Sequence, residues 1–389
     1  MHTGRSVFSQ LMDFTAGYEL DKCVRRYNGE YRVRRFSCRD QFLCMAFAQL
    51  TGRESLRDSE TCLRAQGARL YHAGFRGRIS RSTLADANER RDWRIWADFA
   101  QTLIARARRL YAGESFAVQL DQTAYAIDST TVELCLALFP WAPLSGRKAA
   151  VKIHTQMDLR GHIPSFIHIT GARVHDIRFL DELLLEPGAF YIMDRGYVDF
   201  ARLYLFTQHA AFFVVRARQN MDYAVRHYRP VDKSTGLRSD HIIVLRSAHS
   251  AARYPIPLRR VRYHDPDSGL VLAFISNNLS LPALTIAQLY HARWQIELFF
   301  KWIKQHLRIK SFYGTSPSAV KTQIWIAISV YVLLALVKKE LRLARTLAEI
   351  QQILSISPFE QVSLLEALTA RKSEIQQSPL RNQLPLFNL

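Results

Sequence analysis

The sequence has few cysteines, and their positions argue against the common structural uses of this residue. The five cysteines, at positions 23, 38, 44, 62 and 135, form no CxxC pair and have no matching cluster of histidines. Cysteines with this distribution are most simply reduced thiols of a cytosolic protein. We therefore expect neither a disulfide framework nor a structural zinc site.

Segments that would target the chain to a membrane are also missing. The first 15 residues, MHTGRSVFSQLMDFT, contain no apolar h-region. The longest apolar run, IWIAISVYVLLALV at 324–337, has 14 residues, whereas a membrane helix needs about 20. We predict a buried helix there, no membrane partner and a cytoplasmic protein. The pattern GxxxxGK[ST] does not occur, so we expect no nucleotide cofactor.

Acidic residues are in deficit. The 389 residues include 53 Lys and Arg against 34 Asp and Glu, which gives a formal charge of +19. Such a surplus favours a polyanionic partner, because neutralised phosphates release counterions. A basic protein without such a partner remains the alternative. Apolar residues make up 48% of the chain, which permits a large core in more than one domain.

Residues 1–115 have the mixed polar and apolar pattern of helices. The segment CRDQFLCMAFAQLTG repeats apolar residues at helical spacing and ends at its final glycine. A second helix, which begins near Ser80 or Ser82, is short and basic. It could enter a DNA groove with Arg78 and Arg81 on phosphates. A capped surface helix with solvated arginines explains the same pattern equally well.

Strand patterns dominate from residue 116 onward. FAVQLDQTAYAID alternates towards Asp128, and AVKIHTQMDL and IPSFIHIT follow as an expected antiparallel meander. AFYIMD is a buried-type strand that ends at Asp194, and AFFVVRA follows it. With helices expected at 176–186 and 199–209, the order is β-β-β-α-β-α-β.

A second β-rich segment precedes the last helices. Residues 218–278 contain three further strand-like runs, HIIVLRS, IPLRRVRYHD and LVLAFISNN. Helical patterns return at 283–309 and 317–339 and continue weakly to about 376. We divide the chain into a helical N-terminal DNA-binding domain (1–115), an α/β domain (116–217 and 279–340), a β-rich insertion (218–278) and a helical C-terminal region available for dimer contacts (341–389).

Carboxylates stand where strands of the α/β domain are expected to end. Functional side chains of α/β sheets gather at strand ends, where they face a crevice. Asp128 and Asp194, with Glu297 on a helix, could hold two hard divalent cations through oxygen ligands. Each aspartate alone is more often a turn or cap residue. Asp121, earlier on the first strand, is the rival to Asp128.

A polar stripe runs along the apolar segment YHARWQIELFFKWIKQ. At about 100° per residue, Tyr290, Arg293, Glu297, Lys301 and Lys304 fall within a wedge of roughly 80°. The apolar residues between them form a neighbouring face that can pack on a sheet. The alternative is a surface stripe of ion pairs, each contributing only a few tenths of a kcal/mol.

The spacing of this stripe is the basis of a family resemblance. Tyr290, Arg293, Glu297 and Lys304 match the Y-(2)-R-(3)-E-(6)-K spacing of DDE insertion-sequence transposases of the YREK type. YAIDST resembles the segment that carries their first catalytic aspartate, and MDRGY resembles the segment that carries the second. The resemblance covers roughly residues 120–340, and the helical head is similar to the N-terminal domain of these proteins.

The resemblance implies a fold and a chemistry. The expected fold class is α/β: an RNase H-like mixed sheet flanked by helices and interrupted by a β-rich insertion, after an all-helical N-terminal domain. Asp128, Asp194 and Glu297 would be catalytic and would bind two Mg²⁺ ions, with Mn²⁺ as a substitute. The implied activity is DNA strand cleavage and strand transfer in cut-and-paste transposition.

The resemblance also implies partners. Tyr290, Arg293 and Lys304 would grip phosphates near the transposon end. Lys301, on the same stripe, is a further DNA-binding candidate. The expected partners are the terminal inverted repeats, target DNA and a second copy of the chain, since joining needs two ends at one target. A regulatory DNA-binding derivative and a structure-specific nuclease on the same core are the alternatives.

Two points depart from the resemblance or extend it. Relatives that cut through a hairpin stack a flipped base on an aromatic residue of the insertion, yet no tryptophan lies between Trp141 and Trp294. Tyrosines of the insertion could take that role, or simply pack in strands; they are Tyr223, Tyr228, Tyr254 and Tyr263. His175 and Asp176 lie near the expected crevice, where Asp176 could touch DNA or metal but is more simply a helix cap.

Overall fold

Helices form the first third of the chain. A computed structural model describes residues 4–114, 116, 118–145, 148–306 and 312–369. The helices of the first segment are α1 (Val7–Asp13), α2 (Gly17–Arg26), α3 (Cys38–Thr51), α4 (Leu56–Arg64), α5 (Arg69–His72), α6 (Arg81–Arg90) and α7 (Arg94–Tyr111).

Local sequence signals set the limits of the predicted helices in this head. Helix α3 starts in a capping box, because Ser37 accepts from the Asp40 amide while the Asp40 carboxylate accepts from the Ser37 amide. It ends at Gly52, whose left-handed φ of 63° is readily adopted by glycine. Helix α6 follows Ser80, one of the two predicted starting points.

One mixed sheet holds the strands of the described part of the chain. The strands are β1 (Ala124–Cys135), β2 (Pro143–Ser145), β3 (Lys148–Asp158), β4 (Ile163–Gly171), β5 (Phe190–Met193), β6 (Phe212–Arg216), β7 (Tyr223–Arg229), β8 (Leu237–Leu245), β9 (Leu258–His264) and β10 (Val271–Ser276). Their order is β2-β3-β1-β5-β6-β10-β9-β8-β7, with β4 also paired to β3.

The first half of this sheet has the predicted RNase H-like arrangement. Strand β1 is antiparallel to β3 and parallel to β5, and β5 is parallel to β6. The β3–β4 hairpin turns at Gly161 and His162, both with positive φ. The prediction of a meander followed by two further strands in a mixed sheet is confirmed.

Strands β7 to β10 extend the same sheet from the edge of β6. Strand β10 pairs antiparallel with β6, and β9, β8 and β7 follow in antiparallel order. Sequence patterns identified β8, β9 and β10 but missed β7. The segment YAVRHYR is largely polar and partly exposed, so it lacks the alternation that marks a half-buried strand.

The remaining helices include two corrections. Their bounds are α8 (Phe200–Gln208), α9 (Ala248–Arg253), α10 (Ala283–Ala292), α11 (Trp294–His306), α12 (Pro317–Glu340), α13 (Leu347–Ile356) and α14 (Leu364–Thr369). The helix predicted at 176–186 is instead a 3₁₀ helix at Asp176–Glu182. The helix predicted at 283–309 is two helices that meet at Arg293, and its last three residues lie outside the described ones.

Each face of the sheet packs in its own core. Ala124 and Ala126 of β1 lie in the core shared with α7, α11 and α12, whereas Tyr125 and Ile127 lie in the core beneath α8. Because side chains alternate along a strand, the next residue, Asp128, points to the face that α11 covers. The sheet and α11 therefore bring their acidic residues together.

Helix α12 is the buried helix that the long apolar run predicted. By length and composition it could cross a membrane, but 94% of its most apolar window is buried inside the protein. It packs against α7, α3 and α6. Burial of this kind is typical of the central helix of a folded core.

Candidate active site

Asp128 lies inside a strand and not at its end, which corrects the prediction. Strand β1 continues to Cys135 because its second half still pairs with β3. The parallel pairing with β5, however, stops at Ile127 and Met193. Asp128 is thus the first residue of β1 beyond the edge of β5, so its carboxylate reaches the crevice that a strand end would have given it.

Asp194 follows β5 directly, as predicted. It precedes a 3₁₀ turn at Arg195–Tyr197. Because Ile127 of β1 is paired with Met193 of β5 in parallel register, the next residues, Asp128 and Asp194, emerge side by side at the same edge. Register alone therefore places the two aspartates together.

Arg293 joins the sheet to α11. Its Nη1 donates to Asp128 Oδ2 at 2.8 Å, and its Nη2 donates to Glu297 Oε1 at 2.7 Å. The hydroxyl of Tyr290 donates to Asp194 Oδ1 at 2.9 Å. Two side chains from the junction of α10 and α11 thus hold all three predicted catalytic carboxylates.

The junction between α10 and α11 is tightened by bonds between residues three apart. The Arg293 amide donates to the Tyr290 carbonyl at 3.1 Å, and the Ile296 amide donates to the Arg293 carbonyl at 3.0 Å. Hydrogen bonds between residues three apart are typical of a 3₁₀ helix, whereas an α-helix joins residues four apart. The five polar residues therefore do not form one continuous helical stripe, because Tyr290 and Glu297 lie on different helices.

Burial and like charges act on Asp128. Burial raises the pKa of its carboxyl, and the negative charges of Glu297 and Asp194 raise it further, whereas Arg293 and the Ser129 amide lower it. The Arg293 side chain is 12% exposed, so its charge acts on the carboxylates with little screening. Arg293 is the cation that keeps these acids together.

A second effect of burial is seen at Tyr290. Burial and the neighbouring Asp194 raise the pKa of its hydroxyl to about 12, against an opposing effect of Arg293. The hydroxyl therefore stays protonated at neutral pH and remains a donor to Asp194. Arg216, on the next strand, lies 4.0 Å from the same carboxylate.

The donor chemistry of the site fits a hard divalent cation. Three carboxylates converge on one edge, and such oxygen ligands suit Mg²⁺ and Mn²⁺. Within the residues that the structure describes, no three His, Cys, Asp or Glu side chains are close enough to hold an ion as they stand. The Arg293 guanidinium lies between Asp128 and Glu297, where it supplies the positive charge.

One known protein family matches the part of the chain that contains this site. The family described as the transposase DDE domain matches residues 119–333, which include all three carboxylates. The chain belongs to the family of DDE insertion-sequence transposases. A separate family, described as a domain of unknown function, matches residues 3–76 of the helical head.

Curated relatives agree with this assignment. The transposase is 35% identical over 254 residues to a protein of Sinorhizobium fredii named as a transposase, an alignment that covers 64% of this chain and 69% of the relative. It is 32% identical over 213 residues to an insertion-sequence transposase of Geobacillus stearothermophilus, covering 54% and 55% of the two chains. A Synechocystis relative, also named as an insertion-sequence transposase, is 24% identical over 287 residues and covers 72% and 78%.

An alignment with a solved transposase structure is long but weak. A synaptic complex of piggyBac transposase with hairpin DNA aligns with 98% of this chain and 86% of that one, at 12% identity and a TM-score of 0.46.

The other predicted site residues of the transposase lie on its surface. Lys301 and Lys304 are exposed on α11, one and two turns after Glu297. Arg78 is exposed in the loop before α6, and Arg81 is exposed as the first residue of that helix. The structure brings none of these four to the carboxylates, and their contacts with DNA stay predictions.

A network of hydrogen bonds lies next to Asp128, and the sequence predicted only part of it. The Ser129 hydroxyl donates to Asp176 Oδ1 at 2.6 Å, and Lys152 Nζ lies 2.9 Å from the same oxygen. The residue that caps the 3₁₀ helix is His175, which accepts from the Ile177 amide, and not Asp176. The sequence placed Asp176 near the crevice but gave no signal for its partners on β1 and β3.

Proposed function

We propose that the transposase cuts DNA at the ends of its element and joins those ends to a target by metal-dependent chemistry at Asp128, Asp194 and Glu297. The observation that carries this proposal is the parallel register of β1 and β5. It places two aspartates side by side at an edge that the helix bearing the glutamate covers. Family membership supplies the reaction class.

The three carboxylates would hold Mg²⁺, or Mn²⁺, as two ions. Bound there, the metal supplies activation of a water or 3′-hydroxyl nucleophile and stabilisation of the departing oxygen. The chain's own residues prepare the site. Arg293 offsets the repulsion between Asp128 and Glu297, and Tyr290 fixes the orientation of the Asp194 carboxylate.

Phosphates of the transposon end would bind along the same support. Lys301 and Lys304 are exposed on the helix that carries Glu297, so a strand gripped there would pass the carboxylates. Tyr290 and Arg293, which contact the carboxylates, would also donate hydrogen bonds to these phosphates. Lysine is a point-charge donor to phosphate and arginine a bidentate one, and both suit a clamp on a DNA backbone.

The wider organisation is part of the proposal. The head at 1–115 recognises the terminal inverted repeats, with Arg78 and Arg81 on phosphates, and residues 116–217 and 279–340 are the catalytic domain. Residues 218–278 are an insertion, and 341–389 contribute to a homodimer that holds two ends at one target. The transposase acts in the cytoplasm on nucleoid DNA and uses no nucleotide cofactor.

Cleavage of a labelled duplex that carries the terminal repeat, in Mg²⁺, tests the proposal. Glu297→Gln should lose cleavage and joining by roughly a thousandfold or more, since it removes a charged ligand of the reacting centre. Glu133→Gln, an exposed glutamate on β1, is the matched control and should cleave as the unaltered protein does.

Three results would contradict the proposal in different ways. Undiminished cleavage by Glu297→Gln would remove the glutamate from the site. Tight repeat binding without cleavage by the unaltered protein would favour a regulatory DNA-binding protein. Cutting of branched DNA irrespective of end sequence, without joining, would favour a nuclease.

A further inference from the structure

A partly exposed row of cationic and aromatic side chains crosses the outer strands of the sheet. Tyr228 on β7 is paired with His241 on β8, and His241 is paired with Arg260 on β9. Residues paired across strands share a face, and so do alternate residues of one strand, which adds Arg262 on β9 and, through Leu245 of β8, its partner Tyr223. We call Tyr223, Tyr228, His241, Arg260 and Arg262 the Arg260 surface.

Ring contacts order this surface. The Arg260 guanidinium lies 4.9 Å from the centre of the Tyr223 ring. The rings of Tyr228 and His241 meet edge to face at 4.8 Å, and Tyr228 is 70% exposed. Cations are thus presented between aromatic rings that face solvent.

No carboxylate of these strands neutralises the Arg260 surface. Strands β7 to β10 contain six arginines and a single acid, Asp240. Asp240 bonds to Arg259, with oxygens 2.9 Å from Nε and 2.7 Å from Nη2, and Arg229 lies 3.7 Å from it. Asp240 and Arg259 belong to the opposite face, because each neighbours a member of the Arg260 surface in its strand.

Polar atoms of this surface, and of Ser239, which is paired with Arg262, lack hydrogen-bond partners. Among the residues the structure describes, Arg260 Nε, His241 Nδ1 and Ser239 Oγ are buried and have no hydrogen-bond partner. Burial and the charge of Arg262 lower the pKa of Arg260, against a raising effect of Tyr223. An uncompensated, partly buried cation destabilises a fold. Its presence without an acid indicates that an anion from outside completes the site.

A DNA backbone phosphate is the anion that fits. The surface is an open row across three strands, which suits a polymer and not a small enclosed ligand. Arginine binds phosphate through paired donors, and a formal charge of +19 attracts a polyanion to the chain. Leu258 of the same strand face packs in the core beneath α8, whereas Asp128 points to the other face.

We propose that the Arg260 surface binds backbone phosphates of duplex DNA at a place separate from the three carboxylates. This inference rests on the proposed function, since it assigns part of the DNA path of the same enzyme. The surface contributes affinity that depends on salt and not on sequence, because it contacts the backbone.

The test measures the salt dependence of duplex binding by the full chain. Arg260→Gln with Arg262→Gln should lower the slope of log affinity against log salt by about 1 to 2, since each phosphate contact contributes about 0.9. Affinity near 0.1 M salt should fall roughly tenfold or more. The matched control changes Arg246 and Arg253 to Gln, two exposed arginines of the same insertion, and should keep the slope.

A stability readout separates DNA binding from a structural role. Without DNA, Arg260→Gln should unfold at the same or a higher temperature than the unaltered protein, because it removes an unpaired cation. Arg262→Gln alone, at an exposed position, should still lower the slope by about 1 and is the variant to use if Arg260→Gln lowers the unfolding temperature.

Two outcomes overturn the inference: slopes equal to that of the unaltered protein in both variants, or an equal loss of slope in the control. Repeat cleavage is scored on the same DNA. A reduced slope without cleavage by the unaltered protein would leave the Arg260 surface standing and reject the proposed function. Cleavage by the unaltered protein together with an unchanged slope in the variants would reject the Arg260 surface and leave the proposed function standing.

Discussion

Replacing Arg293 by methionine should destabilise the metal-free transposase and make its stability depend more strongly on divalent cations. Arg293 donates to Asp128 and to Glu297 at 2.8 and 2.7 Å. Methionine keeps much of the apolar length of the side chain and removes the charge. The variant therefore leaves two neighbouring carboxylates, with Asp194 close by, without the cation that lies between them.

The size of this effect follows from burial. Removing one partner of a buried ion pair costs about 3–5 kcal/mol, but Asp128 and Glu297 are 24% and 32% exposed. Solvent screening reduces the expected loss to about 2–3 kcal/mol. With an unfolding entropy of about 2.1 cal/mol/K per residue over 389 residues, the midpoint should fall by about 3 °C.

The assay is thermal unfolding of Arg293→Met and the unaltered protein in EDTA and in Mg²⁺. A cation at 100 times its dissociation constant stabilises by about 2.7 kcal/mol, so Mg²⁺ should recover most of the loss in the variant. Arg202→Met, which breaks the surface pairs with Asp181 and Asp199, should respond to Mg²⁺ as the unaltered protein does. Equal midpoints in EDTA, or equal stabilisation of both proteins by Mg²⁺, would refute the reasoning.

Three further predictions concern stability. Arg259→Met should cost up to about 3–5 kcal/mol in urea unfolding, because it removes the buried partner of Asp240 and leaves only Arg229, 3.7 Å away. Gly161→Ala should cost more than about 1 kcal/mol, since its φ is +72° and a Cβ would lie 2.2 Å from the Tyr111 ring. The free energy of unfolding should decrease as pH falls from about 6.5 to 4, because of His154. Burial lowers the pKa of His154 to about 4, so the unfolded chain binds that proton first.

Each of these predictions has its own control. Adding Asp240→Leu to Arg259→Met should recover most of the loss, because an apolar pair replaces the ion pair; no recovery would contradict the buried-charge argument. Gly171→Ala meets open space at an ordinary φ and should change stability little; an equal loss at both glycines would remove the steric explanation. His154→Gln should flatten the acid side of the stability profile, and an unchanged profile would contradict the assignment.

The sequence was sufficient to predict the elements that carry the site. Asp194 was placed correctly because a short apolar strand ends where a charged residue and a glycine follow. The long apolar helix was predicted from its composition alone. The register of β1 against β5 was not readable, because parallel pairing joins segments more than 60 residues apart and depends on the packing of the whole sheet.

The errors have physical causes in tertiary contacts. Strand β1 was predicted to end at Asp128, but its later residues pair with β3 after β5 has ended. The break at Arg293 contains neither proline nor glycine, the usual sequence signals. It occurs where Arg293 bonds to Asp128 and Glu297. The roles of Tyr290 and Arg293 towards the carboxylates were hidden for the same reason, since spacing shows a helix face but not its partner.

The most direct test of the account replaces Asp194 by cysteine and compares cleavage of terminal-repeat DNA in Mg²⁺ and in Mn²⁺. A thiolate is a poor ligand for Mg²⁺ and a better one for the softer Mn²⁺. The account predicts that Asp194→Cys does not cleave in Mg²⁺ and regains cleavage in Mn²⁺. Cleavage in Mg²⁺ at the rate of the unaltered protein would contradict the claim that the three carboxylates hold the catalytic metal.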